Sequence, residues 1–513
     1  MKQVVTSARP PGRGRLRWGR DGAAIVVLVL IAAWIYRPWE PTVHDYVDFP
    51  EMLQRFRTTR GFHTGYQELT QMQAQAGRWS PVTIALSAAQ WTWFGWDAVA
   101  WHSVRFVVLS LGTAMAYTLY RRLGLDVIAS LVAASLIIVG PGATMGWTRI
   151  GTPEPVGMLF LLGGAHLALS PWSGRTRWGI AVMLLGTIWS KEMMVAAWAL
   201  PAWIAYFAIR RRSDSRVRTL ISAFTPSAIV AAIGLIPMVR AFLDAPPGAF
   251  ATRYGSGAFP SIENLGAVVT AMLPFAPGGV ESEATSGIPL LALFVLLVAG
   301  WSEVFREPRD RSLVGEWLAI ALSMPMIGAA AYGPWPYYQL IYGLPFLLGG
   351  ALLIGVATTS LMERGGWHRA VALTTGIIVL SYSILQAAND SSRTRAVQRA
   401  VLETVLHVTD LPTIDTALVA VAANQFDPAG NFGIRFGLYA RALSTRWPEI
   451  RDIRCDAISG PVPERQIVIV ISAMCAPPAQ APVLVVERRR FRWPNPRSRR
   501  DSVSVSILHG NRR

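Results

Sequence analysis

The chain is poor in charge. Of its 513 residues, 15% are charged and 52% are hydrophobic, whereas a soluble globular domain carries about 25% charged residues. Mean hydropathy is +0.35, and a soluble enzyme of this length could not hide so much apolar side chain from water. These figures exclude a cytosolic enzyme, a disordered chain and a fibrous protein, and they indicate a polytopic membrane protein. Lysine is almost missing: of 48 basic residues only Lys2 and Lys191 are lysine, so the net charge of +17 is carried by arginine. Abundant arginine can signal nucleic acid. Here it lies in short clusters between apolar runs, the pattern of membrane topology, and no nucleic-acid partner is expected. Zinc-type Cys/His spacing, a P-loop and a GxGxxG ahead of a helix are all lacking, so no required cofactor is expected. Cysteine is scarce too. Cys455 and Cys475 form a disulfide if their stretch faces an oxidising compartment, or are two unrelated buried thiols.

What is present is a succession of apolar stretches. Residues 1–21 hold six basic residues and one acid, and read as a cytoplasmic tail. Residues 22–36 are continuously apolar and lead into Arg37-Pro38-Trp39-Glu40 rather than a small-residue cleavage site, so they read as an uncleaved first helix. Residues 38–97 form an outer loop. Within it Ser80 to Trp96 is apolar, broken by Gln90 and bracketed by Trp79, Trp91, Trp93 and Trp96, which reads as a helix lying along the interface. Further spans are expected at 98–120, 126–141, 153–170, 178–190, 193–209, 219–238, 286–304, 313–331, 338–358 and 370–387. That makes eleven transmembrane helices, with arginine clusters on one side at every second loop, the N-terminus inside and the C-terminus outside.

The composition changes near 390, closing a transmembrane domain of 22–389. Ala417 to Ala422, Gln466 to Ile471, Pro482 to Glu487 and Val503 to Leu508 read as strands, and Gly433 to Ser444 as a helix. Residues 390–513 are therefore expected to be a small extracytoplasmic α/β domain, which favours the Cys455–Cys475 disulfide. Seven arginines between Arg488 and Arg500 read as a solvated basic tail, or as attraction to anionic lipid or polysaccharide.

Polar residues in a membrane protein are costly and mark sites, and in this chain they gather at the outer loops. His44-Asp45-Tyr46-Val47-Asp48-Phe49-Pro50-Glu51 follows the first helix. A carboxylate there can take a proton from a bound hydroxyl or help hold a divalent cation; the plain alternative is a solvated loop with Asp48 as a helix cap. Thr148-Arg149-Ile150-Gly151-Thr152-Pro153-Glu154-Pro155 opens the fourth span. There Thr152 reads as the cap, Pro153 as the first helical residue, and Glu154 as a complement to the helix dipole. Trp189-Ser190-Lys191-Glu192 holds the chain's one lysine beyond residue 2. Its compact ammonium suits a phosphate, or Lys191 and Glu192 neutralise each other. Tyr332 to Gln339 is an aromatic anchor, or a surface for a sugar or a polyprenyl chain.

In this order these segments resemble the GT-C type glycosyltransferases that use polyprenyl-phosphate sugars, in particular the protein mannosyltransferase and aminoarabinose transferase group. The residues carrying the resemblance are Asp45 and Asp48 after the first helix, Arg78-Trp79-Ser80-Pro81 and Phe94-Gly95-Trp96 in the long loop, Arg105, Arg121-Arg122-Leu123-Gly124-Leu125, Arg149, Glu154, Ser190-Lys191-Glu192 and Tyr338 to Pro345. The resemblance covers about residues 20–390. It implies Asp45 as base on the acceptor hydroxyl, with Asp48 as its rival, and Glu154 as the second acid of the site. Lys191 and Arg149 would hold the donor phosphate, with Arg253 from the 239–285 loop, while Glu192 and Tyr338 would line the substrate. A divalent cation, if bound, would fall to Asp45 and Glu154. The implied reaction inverts the sugar's anomeric centre and releases polyprenyl phosphate, on the outer face of a bacterial cytoplasmic (inner) membrane. The acceptor would be a lipid, a glycan or a protein. Two departures stand out: the loop acids are three apart rather than adjacent, and Tyr337 and Gln339 occupy the place of a basic residue. Two other functions are weighed. A lipid-linked oligosaccharide polymerase or ligase would work through the 239–285 loop, and a transporter or flippase would carry its charges at mid-depth rather than at helix ends.

Overall fold

A chain in a bilayer must satisfy its backbone polar groups internally, and a helix does so within one segment. The computed structural model describes residues 18–40, 61–75, 78–95, 97–148, 153–210, 216–244, 273–275, 287–306, 311–332 and 343–409, with five strands between 416 and 509. The helices are α1 (Trp18–Tyr36), α2 (Phe62–Gln75), α3 (Pro81–Phe94), α4 (Ala98–Arg122), α5 (Val127–Val139), α6 (Pro141–Thr148), α7 (Glu154–Ala168) and α8 (Gly174–Ser190). A 3-10 segment (Glu192–Trp198) leads into α9 (Ala199–Arg210). Then come α10 (Arg216–Leu243), α11 (Gly287–Arg306), α12 (Arg311–Tyr332), α13 (Leu347–Arg364) and α14 (Gly366–Thr409).

Each expected span overlaps a helix. Among the described residues, seven helices are long and apolar enough to cross a membrane: α1, α4, α10, α11, α12, α13 and the Gly366–Ser392 part of α14. The bent pair α5–α6 would make an eighth, while α7 and the Met194–Arg210 stretch are shorter apolar helices. The structure is thus that of a multi-pass helical membrane protein.

Three elements differ from the expectation in form. The 126–141 segment does not stop but turns by 52° into α6. Gly140 is extended there (φ −62°, ψ 149°), because Pro141 cannot donate into the ladder and disfavours a helical residue before it. The 193–209 segment begins as a 3-10 helix. Finally, α14 runs 44 residues to Thr409, through the expected domain limit at 389. Neither glycine nor proline occurs between Gly376 and Thr409 to break it.

Of the seven candidate spans the most buried is α13, which packs against α5, α11, α12 and α14. Long-range hydrogen bonds also tie the end of α4 to α13 and to α12. The Tyr120 hydroxyl donates to the Leu348 carbonyl at 3.0 Å, and the Trp317 indole to the Leu123 carbonyl at 3.2 Å. Without a hydrophobic drive between helices inside lipid, close packing of small residues holds such pairs. At the α11–α13 crossing a Cβ on Gly300 would lie 2.5 Å from the Ala357 Cα, so only glycine fits.

The strands are β1 (Thr416–Val421), β2 (Glu449–Arg454), β3 (Gln466–Ile471), β4 (Leu484–Arg492) and β5 (Ser502–His509), in one sheet of order β2-β1-β3-β5-β4. β1 runs parallel to β2 and β3, in register Val419↔Asp452 and Val419↔Ile469, while β5 runs antiparallel to β3 and β4. Sequence reading passes over β2, whose alternation is of charges (Glu449, Arg451, Asp452, Arg454) rather than apolar residues. Charge of that kind suits an edge strand, which it protects from pairing with other chains. Arg488 to Arg492, expected as the start of a solvated tail, belong instead to β4, with Arg492 opposite Ser502. The helix expected at 433–444 and both cysteines, Cys455 and Cys475, lie outside the described residues.

Gly300→Val is expected to cost about 1–3 kcal/mol through overpacking against Ala357, read as a lower melting temperature of the purified protein in detergent. Gly376→Ala, where nothing lies within 4 Å, is the control and should leave the melting temperature level or higher.

Candidate active site

The candidate site forms where α7 begins and α8 ends. Helices α7 and α8 run antiparallel and pack closely. A Cβ on Gly157 of α7 would collide with the Met194 sulfur, and one on Gly186 of α8 with the Phe160 ring. This approach brings the first turn of α7 beside the last turn of α8, and with it Glu154 beside Lys191.

The local backbone sets both side chains. Pro153 takes the capping position with no side-chain cap hydrogen bond, and the helix starts at Glu154. That is one residue later than expected, and Thr152 lies outside the described residues. Glu154 does not fold back onto the helix end. It turns inward to Lys191, whose Nζ donates to Glu154 Oε1. Lys191 itself leaves the α8 ladder with extended backbone (φ −158°, ψ 129°). Its N–H still reaches the Thr187 carbonyl at 3.2 Å, and its own carbonyl accepts from the Met194 N–H at 3.0 Å. Glu154 is 1% and Lys191 2% exposed, and the fully buried Met158, Ile188 and Met194 are close by in the chain. So Lys191 pairs across helices with Glu154. The backbone of Glu192 opens the 3-10 segment, and its side chain lies outside the described residues.

An ion pair shut away from water is maintained only if each partner stays matched. Here the match is one-sided in a useful way: Glu154 Oε2 has no hydrogen-bond partner among the described residues. That oxygen can accept a proton or a hydroxyl. Lys191 places a positive charge beside it. Among the described residues no three His, Cys, Asp or Glu side chains gather as a metal site. Asp45, Asp48, Arg149, Arg253 and Tyr338 lie outside the described residues.

Helices α2 and α3, which follow α1, reach this end of the bundle. Helix α3, expected to lie flat at the interface, buries Thr83, Ile84, Ser87, Ala88, Gln90 and Trp91 and packs against α8. It is closed against α2 by a Ser80–Gln73 hydrogen bond of 2.5 Å. A second cluster, unnoticed in the sequence, sits at the exit of α1. The Tyr36 ring stacks on Trp147 at 5.0 Å, and its hydroxyl donates to the Ile138 carbonyl at 2.5 Å. The Ile35 carbonyl accepts from Ser391 at 3.1 Å and from Arg395 at 3.0 Å, and Arg395 also meets Glu40 at 3.3 Å. No pattern within the sequence links residues 356 and 360 positions apart.

At the opposite end of the bundle arginine does structural work. Arg121 and the Tyr117 hydroxyl both donate to Asp21, at 3.0 and 2.7 Å. Arg122 donates to the His166 carbonyl at 2.9 Å. Glu303, 3% exposed, is met by Arg306 at 3.0 Å, Arg364 at 3.6 Å and His368 at 3.7 Å.

Fold and site together define a polytopic membrane protein with a buried carboxylate–ammonium pair at one end of its helical bundle. No protein-family model and no curated protein sequence matches the chain. Solved structures do match. ArnT from Cupriavidus metallidurans bound to undecaprenyl phosphate is similar at 12% identity over 97% of this chain and 100% of that one, with a TM-score of 0.49. The apo state of the same protein matches over 96% and 98%, at 12% identity and a TM-score of 0.48. The arabinofuranosyltransferase AftD from Mycobacteria matches at 14% identity over 97% of this chain, with a TM-score of 0.50. This chain spans 40% of the length of AftD, and the likeness is one of fold.

Lys191→Met strands the Glu154 charge and is expected to destabilise by about 3–5 kcal/mol. The double variant Glu154→Gln/Lys191→Met removes both charges and should recover most of that loss. Thermal unfolding of the purified variants, followed by tryptophan fluorescence, measures both.

Proposed function

We propose that the chain is a membrane glycosyltransferase that moves a sugar from a polyprenyl-phosphate donor to a hydroxyl acceptor outside the cytoplasm, inverting the anomeric centre. The observation that carries this reading is the buried Glu154–Lys191 pair, in which one carboxylate oxygen has no hydrogen-bond partner among the described residues. The fold likeness to the arabinofuranosyltransferase AftD supports it. So does the order of motifs along the sequence, which resembles the GT-C group.

The proposed mechanism follows from the charges. A polyprenyl chain is as apolar as the lipid, so its pyranosyl or furanosyl phosphate lies at head-group level, where a cation is needed. Lys191 supplies one, and Arg149 and Arg253 are assigned to the same phosphate by the resemblance of the sequence motifs. Asp45 or Asp48 takes the proton of the acceptor hydroxyl as its oxygen attacks the anomeric carbon. The bond to the phosphate oxygen breaks and polyprenyl phosphate leaves with the electron pair. Glu154 orients the acceptor through Oε2, while Glu192 and Tyr338 line the substrate. In this reading the chain crosses a bacterial inner membrane eleven times, with the N-terminus in the cytoplasm and residues beyond α14 outside. A divalent cation, if one takes part, has Asp45 and Glu154 as its ligands.

Transfer of radiolabelled sugar from polyprenyl-phosphate donors by the purified protein tests the proposal. Asp45→Asn or Asp48→Asn should lower kcat by about 10²–10⁴, and Lys191→Ala should raise the donor KM. Full activity in both Asn variants overturns the assignment of the base.

A further inference from the structure

Thr83 lies outside the charged pair but holds the backbone from which Lys191 projects. It sits on α3, is 5% exposed, and donates its hydroxyl to the Ser190 carbonyl at 2.8 Å. Ser190 is the last residue of α8 and is fully buried. Its carbonyl is one of the acceptors that a helix end leaves without an intrahelical donor, and burial makes such an acceptor costly unless it is met.

The partner chosen for that carbonyl decides the path of the chain. In a continuing α-helix the Ser190 carbonyl would accept from the Met194 N–H, four residues on. In the structure the Met194 N–H goes to the Lys191 carbonyl instead, three residues back, which is the 3-10 pattern of the Glu192–Trp198 segment. Thr83 fills the acceptor that the shift in register vacates. Lys191, extended between the two patterns, is thereby turned toward Glu154.

We propose that Thr83 is a positioning residue for Lys191: its hydroxyl holds the α-to-3-10 break that aims the ammonium into the site, so the helix of the first outer loop sets the geometry of donor binding. The donor half of this inference rests on the reading of Lys191 as the phosphate contact. Without the hydroxyl, the Met194 N–H returns to the Ser190 carbonyl and Lys191 rotates with the added helical turn.

The scarcity of lysine makes the test direct. Only Lys2 and Lys191 are lysine, so 15N-lysine labelling of the full-length protein in nanodiscs gives two amide resonances, and Lys2→Arg identifies the one from Lys191. Thr83→Val, which removes the hydroxyl at nearly constant shape, should shift the Lys191 resonance and change its amide exchange rate about tenfold. The same variant should raise the donor KM about tenfold, with kcat near the wild-type value and a lower melting temperature, because Lys191 no longer matches the buried Glu154 charge. Thr83→Ser keeps the hydroxyl and should restore both readouts, which a purely structural role for the side chain would not require. An unchanged Lys191 resonance in Thr83→Val overturns the inference whatever the activity, as does a changed resonance beside an unchanged donor KM. Absence of transfer by the wild type instead overturns the donor reading, and the amide measurement then decides by itself whether Thr83 places Lys191.

Discussion

A carboxylate and an ammonium share a space closed to water where α7 meets α8, and neither could stay there alone. A lone buried charge at that depth would cost several kcal/mol, so the two helix ends must keep their relative height. Everything nearby serves that requirement. Glycines at 157 and 186 let α7 and α8 approach until larger side chains would collide. The 3-10 segment lets Lys191 leave the helix without stranding its backbone. α3 closes the last open carbonyl. The pair and its surroundings therefore form one rigid unit built from three separate stretches of sequence.

The chain's division of labour between its two basic residue types has a physical basis. Arginine presents a flat fork with several donors, and at the end of the bundle away from Lys191 it binds carboxylates and carbonyls together, as Arg121 and Arg122 do with Asp21, Leu125 and His166. These arginines do more than mark topology: they lock helix ends to one another. Lysine is a compact charge on a slim stem. One such group fits between tightly packed helices where a guanidinium would not.

Much of the helical plan was legible because apolar length and arginine clusters repeat with a simple period. The Gly140-Pro141 break was written in the sequence as well, although hydropathy runs smoothly across it. Glu154 and Lys191 were each conspicuous, Glu154 for its place among outer-loop acids and Lys191 for its rarity. Their pairing was not legible, because it depends on how α7 and α8 return along each other over 37 positions. Thr83 gave no signal at all: a hydroxyl in an apolar helix looks the same whether or not it meets a distant carbonyl. Arg395 was hidden differently, since the change in composition near 390 suggested a domain limit, while helix propensity carried α14 past it. Strand β2 escaped because four of its six residues are charged and it shows no apolar run or alternation.

The unbroken length of α14 fixes more than a connection. At ~1.5 Å per residue its 44 residues extend about 66 Å, roughly twice the ~30 Å hydrocarbon layer. About two-thirds of the way along this rod Arg395 grips the end of α1, and strands β4 and β5 pack against the helix. The rod thus sets the compass bearing of the sheet relative to the bundle. Adding or deleting a single residue below the sheet would swing it by about 100° around the axis, so evolution can lengthen this chain's loops far more freely than its final helix.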